Sequence, residues 1–546
     1  MNSGSLDGNC LTLDRAAMVA RLGAETFDLA IIGGGINGAA IARDAALRGL
    51  RVALVDKGDF AGATSSRSSK LIHGGLRYLP QGQIRLVYQA LRERERLRHL
   101  TAPHLVHPLR FQMPFYRGRR PGRLALIAGL TLYDWMAWTP RAETRHLMTA
   151  AHVQAIEPGL RAEGMGGGAT YTDGWGDDAR ITIENLLDAA YHGAAIVNYA
   201  AVEGLLRAGS SLGGIALRDL ESATTLELRA RCVINAAGSW IDDLRRMDDP
   251  ASAPSVRLTK GVHLVIDHDR LPVRNALVLT DRSGRIVFVM PYGDHVLIGT
   301  TDTDYAGDRD HLTIATDEIE YLLGVVEDAL PDFRLKAADV IGGFAGLRAL
   351  PLNGNGRRPS AVPRDEIILE GASGLITVAG GKLTTHRAIA EHVVDRAILR
   401  MGIGASRSTT AMTPLPGARA STASEAALNA LPQLARAILA NRYGARARSV
   451  AQIVGHDPAL ARPLSSEAPA IGAEVLFAVR YELARSVTDF LTRRTAMTWR
   501  APLAAITAAP AVTRLMGAEL GWSLERQAAE LDRFTREQAI RRPPRS

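Results

Sequence analysis

The chain has 546 residues, 47% hydrophobic and 22% charged, with 25 prolines; that allows two to four folding units with large cores and excludes intrinsic disorder and collagen-like repeats. Its 65 basic residues outnumber 57 acidic ones, a formal charge of +8 that favours anionic partners without requiring nucleic acid. Only Cys10 and Cys232 are present, which excludes a disulfide scaffold or cysteine-rich metal site and points to a reducing compartment.

Residues 1–25 form an N-terminal extension in which no basic region leads into an apolar one, so it does not read as a secretory signal. The run Asp28 to Ile32 then ends abruptly in Gly33-Gly34-Gly35. After Ile36-Asn37-Gly38 comes the alanine-rich stretch Ala39 to Arg48, an excellent helix former, stopped by Gly49. Arg51 to Asp56 reads as a second buried strand, which makes the opening unit strand–turn–helix–strand and the fold class α/β with a parallel sheet. The apolar stretch Leu124 to Trp138 is too short to span a bilayer and contains Asp134, so the protein is expected to be soluble or bound to a membrane surface.

Further buried strands are expected at Cys232–Asn235 and Leu375–Ala379, each running into small residues. Between them, Gly261 to Asp267, Arg285 to Pro291 and His295 to Gly299 alternate like antiparallel strands. The simplest architecture is a nucleotide-binding domain assembled from distant pieces within residues 26–409, with a sheet-based substrate domain inserted into it. Thr413 to Gly417 reads as a linker, and residues 410–546 as a separate helical domain.

Gly33-x-Gly35-x-x-Gly38 sits between strand and helix, the context in which three glycines make a dinucleotide fingerprint. The first glycine permits the tight turn, the second admits the pyrophosphate, and the third lets helix and strand pack closely. Helix-start N–H groups then face the phosphates, and Asp56 ends the next strand where a ribose would hydrogen-bond. NAD and FAD both use this unit, so the fingerprint alone leaves the two open.

The segment that follows, Gly62 to Leu79, is dense in hydroxyls and glycines. Here the chain resembles the FAD-dependent, respiratory glycerol-3-phosphate dehydrogenases. The resemblance lies in IIGGGINGA, SSKLIHGGLRYL, DGWGDDARI at 173–181, INAAGSWID at 234–242, RIVFVMPYGDHVLIGTTDTDY at 285–305, AGLRALP at 345–351 and AGGKLTTHR at 379–387. It extends from about residue 26 to the last helix. It implies a Rossmann-like FAD-binding domain of the D-amino-acid-oxidase and glutathione-reductase type, carrying an inserted antiparallel-sheet substrate domain and a C-terminal helical domain.

On that resemblance Gly33, Gly35, Asn37 and Gly38 form the phosphate cradle and Asp56 anchors the adenosine, in place of the family's usual glutamate. Thr64, Ser65, Ser66, Ser69, Lys70 and Leu71 match the segment lining pyrophosphate and flavin, and Val202 and Gly238 match positions on the adenosine side. The turn Gly380-Gly381-Lys382-Leu383-Thr384-Thr385 precedes a helix whose N-terminus, with Lys382, would stabilise the negative charge of the reduced flavin. The implied substrate is sn-glycerol 3-phosphate. Arg348 and Arg364 match phosphate-binding positions, where a guanidinium fork binds two oxygens at once. Arg77 and Tyr78 match the active-site mouth. His73 is the first choice of general base for the substrate hydroxyl and His263 the second.

The expected cycle oxidises sn-glycerol 3-phosphate to dihydroxyacetone phosphate and passes the electrons to a membrane quinone. Arg117, Arg119, Arg120 and Arg123 precede the Leu124–Trp138 stretch with its Tyr133, Trp135 and Trp138, a combination that suits an anionic bilayer surface. The expected location is therefore cytoplasmic, on the inner face of the cell membrane. A glycerol-3-phosphate oxidase passing electrons to oxygen is the alternative enzyme, and a flavin-binding redox sensor without turnover the non-catalytic one. Nucleic acid is not an expected partner. Dimerisation, as a homodimer, and capping of the catalytic domain are the two roles open to the helical domain.

Overall fold

Asp28–Ile32 and Val52–Val55 are continuous apolar runs, comfortable only in strands covered on both faces. In the computed structural model, which describes residues 10–117, 123–137, 144–281, 283–352, 366–420, 425–466 and 470–541, they become the centre of a parallel sheet. Thr26–Ile32 pairs in parallel with Val52–Val55 on one side and with Thr225–Asn235 on the other. Ala195–Val197 and Ile376–Ala379 extend the parallel arrangement at its two ends. Strands from four distant parts of the sequence thus build one nucleotide-type sheet. Their carboxyl ends all point to the same edge, where ligands bind in open α/β sheets. The helices Ile36–Leu47 and His386–Met401 pack beside each other over this core.

The second sheet is mostly antiparallel. Val256–Asp267 is its spine, paired with His295–Gly299, Thr303–Asp304 and the long strand Val340–Pro351. Ile286–Tyr292, Ala276–Thr280, Val106–Tyr116, Met165–Gly176 and the short Leu71–Ile72 continue it. The alternation read in residues 261–299 therefore marks one sheet, with Val262, Leu264 and Ile266 buried in its core.

The described part of the N-terminal extension, residues 10–25, is docked on the parallel-sheet domain. Asp14 caps the helix Arg15–Ala24, and Arg15 donates to Asp219 at 2.6 Å and to the Asn198 carbonyl at 2.7 Å. Helices Gln433–Tyr443, Ala447–His456, Gly472–Glu482, Pro502–Leu520 and Leu524–Arg541 form the helical C-terminal part. The Thr413–Gly417 stretch expected as a linker is a packed strap: Leu415 is buried and the Gly417 N–H donates to Glu184 at 2.9 Å. Proline and glycine bend the strap, and a buried carboxylate holds it. Buried ions also join the C-terminal helices to the rest, for Arg180 makes a two-pronged contact with Glu482 at 2.7 and 2.9 Å and Arg446 reaches the same carboxylate at 2.9 Å.

Tyr133, grouped in the sequence with an aromatic membrane face, is instead buried, donating its hydroxyl to Asp173 at 2.7 Å. Trp135, two residues on along the helix Arg123–Ala137, is 76% exposed. Arg119, Arg120 and Trp138 lie outside the described residues, as does the side chain of Arg123. Among the described residues no helix is long and apolar enough to cross a membrane.

Candidate active site

A single cavity of about 810 Å³ runs from the carboxyl edge of the parallel sheet to the inner face of the second sheet. Its first end is the glycine turn. Gly33 has φ +109°, and a Cβ there would stand 2.6 Å from the Ala236 carbonyl oxygen, so only glycine fits this crossing of two strand ends. A Cβ on Gly38 would stand 1.9 Å from the Gly33 carbonyl oxygen, which is the close packing of helix on turn that the third glycine serves. Gly35 opens on the cavity, with the Ser65 hydroxyl 3.1 Å from where its Cβ would be. That hydroxyl accepts from the Ile36 N–H at 2.9 Å, a helix-start donor that the helix itself leaves without a carbonyl. Asn37 donates to the Gly380 carbonyl at 3.2 Å and so ties this turn to the Gly380–Thr385 turn.

Asp56 lies at the strand end, as the fingerprint requires. Its carboxylate accepts from the N–H groups of Gly34 at 2.6 Å and Gly58 at 2.8 Å, and its side chain also reaches the cavity. Burial pushes its pKa up to about 6 despite those two donors. Val202 and Gly238 line the same end. A glycine turn whose second position opens on the cavity, a helix start beside it and a strand-end carboxylate are what a dinucleotide's pyrophosphate and ribose need, so the residues fit FAD.

The hydroxyl-rich segment divides its side chains. Thr64, Ser65, Ser69 and Leu71 line the cavity, with Thr64 donating to the Leu347 carbonyl at 2.7 Å. Ser66 and Lys70, expected on the cofactor, turn into the protein instead. Ser66 is buried and reaches back to the Ala63 carbonyl. Lys70 is buried against Asp178 at 2.5 Å and the Ser66 carbonyl at 3.2 Å. The single turn of 3₁₀ helix at Thr64–Ser66 decides which hydroxyl faces which way.

At the far end Arg348 reaches the cavity from the long strand Val340–Pro351. Its guanidinium donates to Thr300 Oγ1 at 2.9 Å, to the Thr301 carbonyl at 3.2 Å and to Asp302 at 3.2 Å. It lies across Gly261 on the neighbouring strand, where a Cβ would stand 2.4 Å from a guanidinium nitrogen. Any larger residue at 261 would displace the arginine. His263, two residues along that strand, is buried, stacks on Phe344 with ring centroids 4.8 Å apart, and shares a 2.8 Å hydrogen bond with Ser69 through Nε2. Burial, with the Arg348 and Lys70 cations beside it, holds its pKa well below the usual histidine value, so the ring is neutral at pH 7.

His73 lines the cavity from the side of the Gly380–Thr385 turn, its N–H donating to Thr384 Oγ1 at 3.0 Å. Gly381, Lys382, Leu383 and Thr384 are on the wall as well. The Lys382 ammonium stands 4.2 Å from the centre of the Tyr78 ring. Tyr78 is buried beneath that lysine rather than at an open mouth. Arg364 lies outside the described residues, and so does the side chain of Arg77.

Sequence reasoning missed Arg67 and Arg309, both on the cavity wall, and a group from the C-terminal helices: Ser486, Asp489, Arg493, Arg533 and Glu537. No local pattern marks these residues. They reach the cavity only through tertiary packing.

Comparison with known proteins agrees with this geometry. Residues 28–396 match the family of FAD dependent oxidoreductases, and residues 408–527 match the C-terminal domain of alpha-glycerophosphate oxidase. The chain is 37% identical over 526 residues to glycerol-3-phosphate dehydrogenase 2 of Mycobacterium bovis, covering 95% of this chain and 88% of that one. It is 38% identical over 384 residues to the aerobic glycerol-3-phosphate dehydrogenase of Bacillus subtilis, covering 70% and 69%. The X-ray structure of the glycerol-3-phosphate dehydrogenase from Bacillus halodurans complexed with FAD superposes with a TM-score of 0.79 at 28% identity, covering 98% of both chains. The extent of these matches, with a glycine cradle and acid placed for a dinucleotide, makes FAD the cofactor, and the chain belongs to the FAD-dependent glycerol-3-phosphate dehydrogenase family.

Proposed function

We propose that this enzyme oxidises sn-glycerol 3-phosphate to dihydroxyacetone phosphate and delivers the electrons to a membrane quinone. The observation that carries the reading is Arg348: a guanidinium held in place by Thr300, Thr301 and Asp302 on the wall of the same cavity as the glycine cradle. A planar fork of donors suits a phosphate dianion, binding two oxygens at once. Relatives named for glycerol-3-phosphate dehydrogenation over nearly the whole chain support the same substrate.

Bound FAD supplies the acceptor for the hydride that leaves C2 of the alcohol. His73, on the wall between the cradle and the second sheet, takes the hydroxyl proton in the same step. His263 stays neutral beside Arg348, so it adds no second cation and keeps its Nε2 on Ser69. Lys382, which lies over the Tyr78 ring, and the start of the helix His386–Met401 would stabilise negative charge on the cofactor once it is reduced.

Delivery to a membrane acceptor is supported by two neighbouring helices. Trp135 is exposed on the helix Arg123–Ala137, and Ile84, Arg85, Tyr88 and Arg92 are exposed on the helix Ile84–Arg96 that packs against it. Exposed aromatic and aliphatic side chains among arginines suit the interface of an anionic bilayer on the cytoplasmic side. The match of residues 408–527 to a domain named for an oxidase favours oxygen as the second acceptor to test.

Anaerobic mixing of the purified yellow protein with sn-glycerol 3-phosphate tests the first half-reaction, and the expected result is bleaching of the bound flavin. Unbleached flavin at millimolar substrate would refute the substrate assignment. Reoxidation of the bleached enzyme by a soluble quinone, timed against oxygen, tests the second half. Faster reoxidation by oxygen would replace the dehydrogenase reading with the oxidase one.

A further inference from the structure

The loop after the Val52–Val55 strand carries two carboxylates with different tasks. Asp56 faces the cavity, and Asp59, three residues on, is buried among cations of the C-terminal helices. Arg494 grips Asp59 with two bonds at 2.7 and 2.9 Å, and Arg493 Nε adds a third at 2.5 Å. Arg493 also donates to Asp489 at 2.6 Å, and the Tyr199 hydroxyl donates to the same carboxylate at 2.6 Å. Tyr199 follows the Ala195–Val197 strand, and its N–H donates to the Gly58 carbonyl at 3.0 Å, so it is part of the same floor. Asn198 bridges Asp59 and the Leu483 carbonyl at 3.1 and 2.8 Å. Although burial alone would raise it, the two arginines hold the Asp59 carboxyl at about 2, so this carboxylate remains charged near neutral pH.

This cluster is more than a domain fastener, because its members line the cofactor cavity. Asp489 and Arg493 face into it beside Asp56, Gly58 and Tyr199, and Arg533 and Glu537 of the last helix line the same cavity. The Thr488 hydroxyl donates to Glu537 at 3.0 Å and joins the last helix to the segment that carries Asp489.

We infer that the C-terminal helical domain is a cofactor clamp: Asp489, Arg493, Arg533 and Glu537 close the adenosine end of FAD, and the Asp59–Arg493–Arg494 cluster makes domain docking and cofactor retention one equilibrium. The inference rests on FAD lying with its adenosine toward Asp56 and is independent of which alcohol is oxidised. Coupling of this kind is reciprocal. If docking holds the cofactor, the cofactor holds the dock, and both directions are measurable.

Two measurements test it. In the first, amide hydrogen exchange of the unmodified enzyme is compared with and without FAD. Removing FAD is expected to speed exchange at residues 486–494 and 524–541 at least about tenfold. In the second, release of FAD into cofactor-free buffer is followed by flavin fluorescence for Arg493→Gln and for Arg485→Gln. Arg485 pairs with Glu221 at 2.8 Å across the same boundary without lining the cavity, so its variant reports general weakening of the dock. Arg493→Gln is expected to release FAD about tenfold faster or more, the scale of one lost charged hydrogen bond, and Arg485→Gln within about twofold of the parent. Exchange indifferent to FAD would overturn the clamp. So would an Arg493→Gln protein that melts earlier yet keeps FAD at the parental rate. Should Arg493→Gln be insoluble, the exchange experiment on the unmodified chain decides. A parent chain that never turns yellow overturns the cofactor assignment along with the clamp, and is recognised by its colour.

Discussion

Replacing Arg348 with methionine keeps most of the side-chain volume under Gly261 and removes only the charge and the donors. Two charge-assisted bonds to phosphate oxygens are lost, each worth about 1.5–3 kcal/mol, so substrate binding should weaken by about 10²–10⁴-fold. The upper half of that range is favoured by what remains. Asp302 loses its 3.2 Å partner and stands as a nearly buried negative charge beside a phosphate dianion. The assay is anaerobic stopped-flow bleaching of the bound flavin, run against concentration for sn-glycerol 3-phosphate and for plain glycerol. The expected signature is a raised half-saturation for the phosphate ester, a limiting rate within about threefold of the parent, and no change for glycerol, which has no phosphate to lose. A lysine at 348 should restore only part of the loss, because an ammonium cannot hold Thr300 and Asp302 and present a fork at the same time. Equal losses for both alcohols would refute the phosphate role.

Three further outcomes follow from the same geometry. His73→Asn should keep FAD but slow the limiting rate of flavin bleaching by about 10²–10⁴-fold, whereas a parental rate would reject His73 as the proton acceptor. Gly35→Val should yield a colourless protein, since a branched side chain would enter the cradle where the Ser65 hydroxyl already stands 3.1 Å from the Cβ position; flavin recovered at parental stoichiometry would contradict the cradle. Asp56, raised by burial to about 6, destabilises the apoprotein while ionised, and that penalty is relieved as pH falls from about 6 toward the unfolded carboxylate value; ribose hydroxyls favour the ionised form, so FAD affinity should drop below about pH 6 in equilibrium titrations and lose that dependence in Asp56→Asn.

The legible parts of this protein are the local ones. The glycine turn, its helix and Asp56 lie within 24 residues, so their geometry is dictated by neighbours in sequence, and the strand-to-helix context could be read directly. Direction within a short segment was harder. Thr64, Ser65 and Ser66 are chemically alike, and only the backbone turn sends two to the cavity and one inward. Lys70 was expected beside the cofactor only because its segment resembles the family's, but its partner Asp178 is 108 residues away. Arg348 was legible through resemblance alone, since the feature that makes room for its guanidinium, the bare Gly261, belongs to a different strand. The clamp lay beyond any sequence reading, with Asp59 and Arg494 separated by 435 residues.

Burying three or four charges at a domain boundary is a poor way to gain stability. Removing each ion from water costs several kcal/mol in effect, about what its partners return, and well-packed apolar side chains commonly do as well or better. What ions provide instead is direction: Arg494 meets Asp59 in one geometry, and a slip of an ångström leaves a charge unpaired. At this boundary direction has a use. Asp59 shares a four-residue stretch of backbone with Asp56, so any play in the dock would move the carboxylate proposed to meet the ribose. An apolar contact of equal strength would tolerate that play. The charged cluster is therefore best understood as fixing a loop for the cofactor, and its cost as the reason such a cluster would be lost from a domain that merely packed alongside.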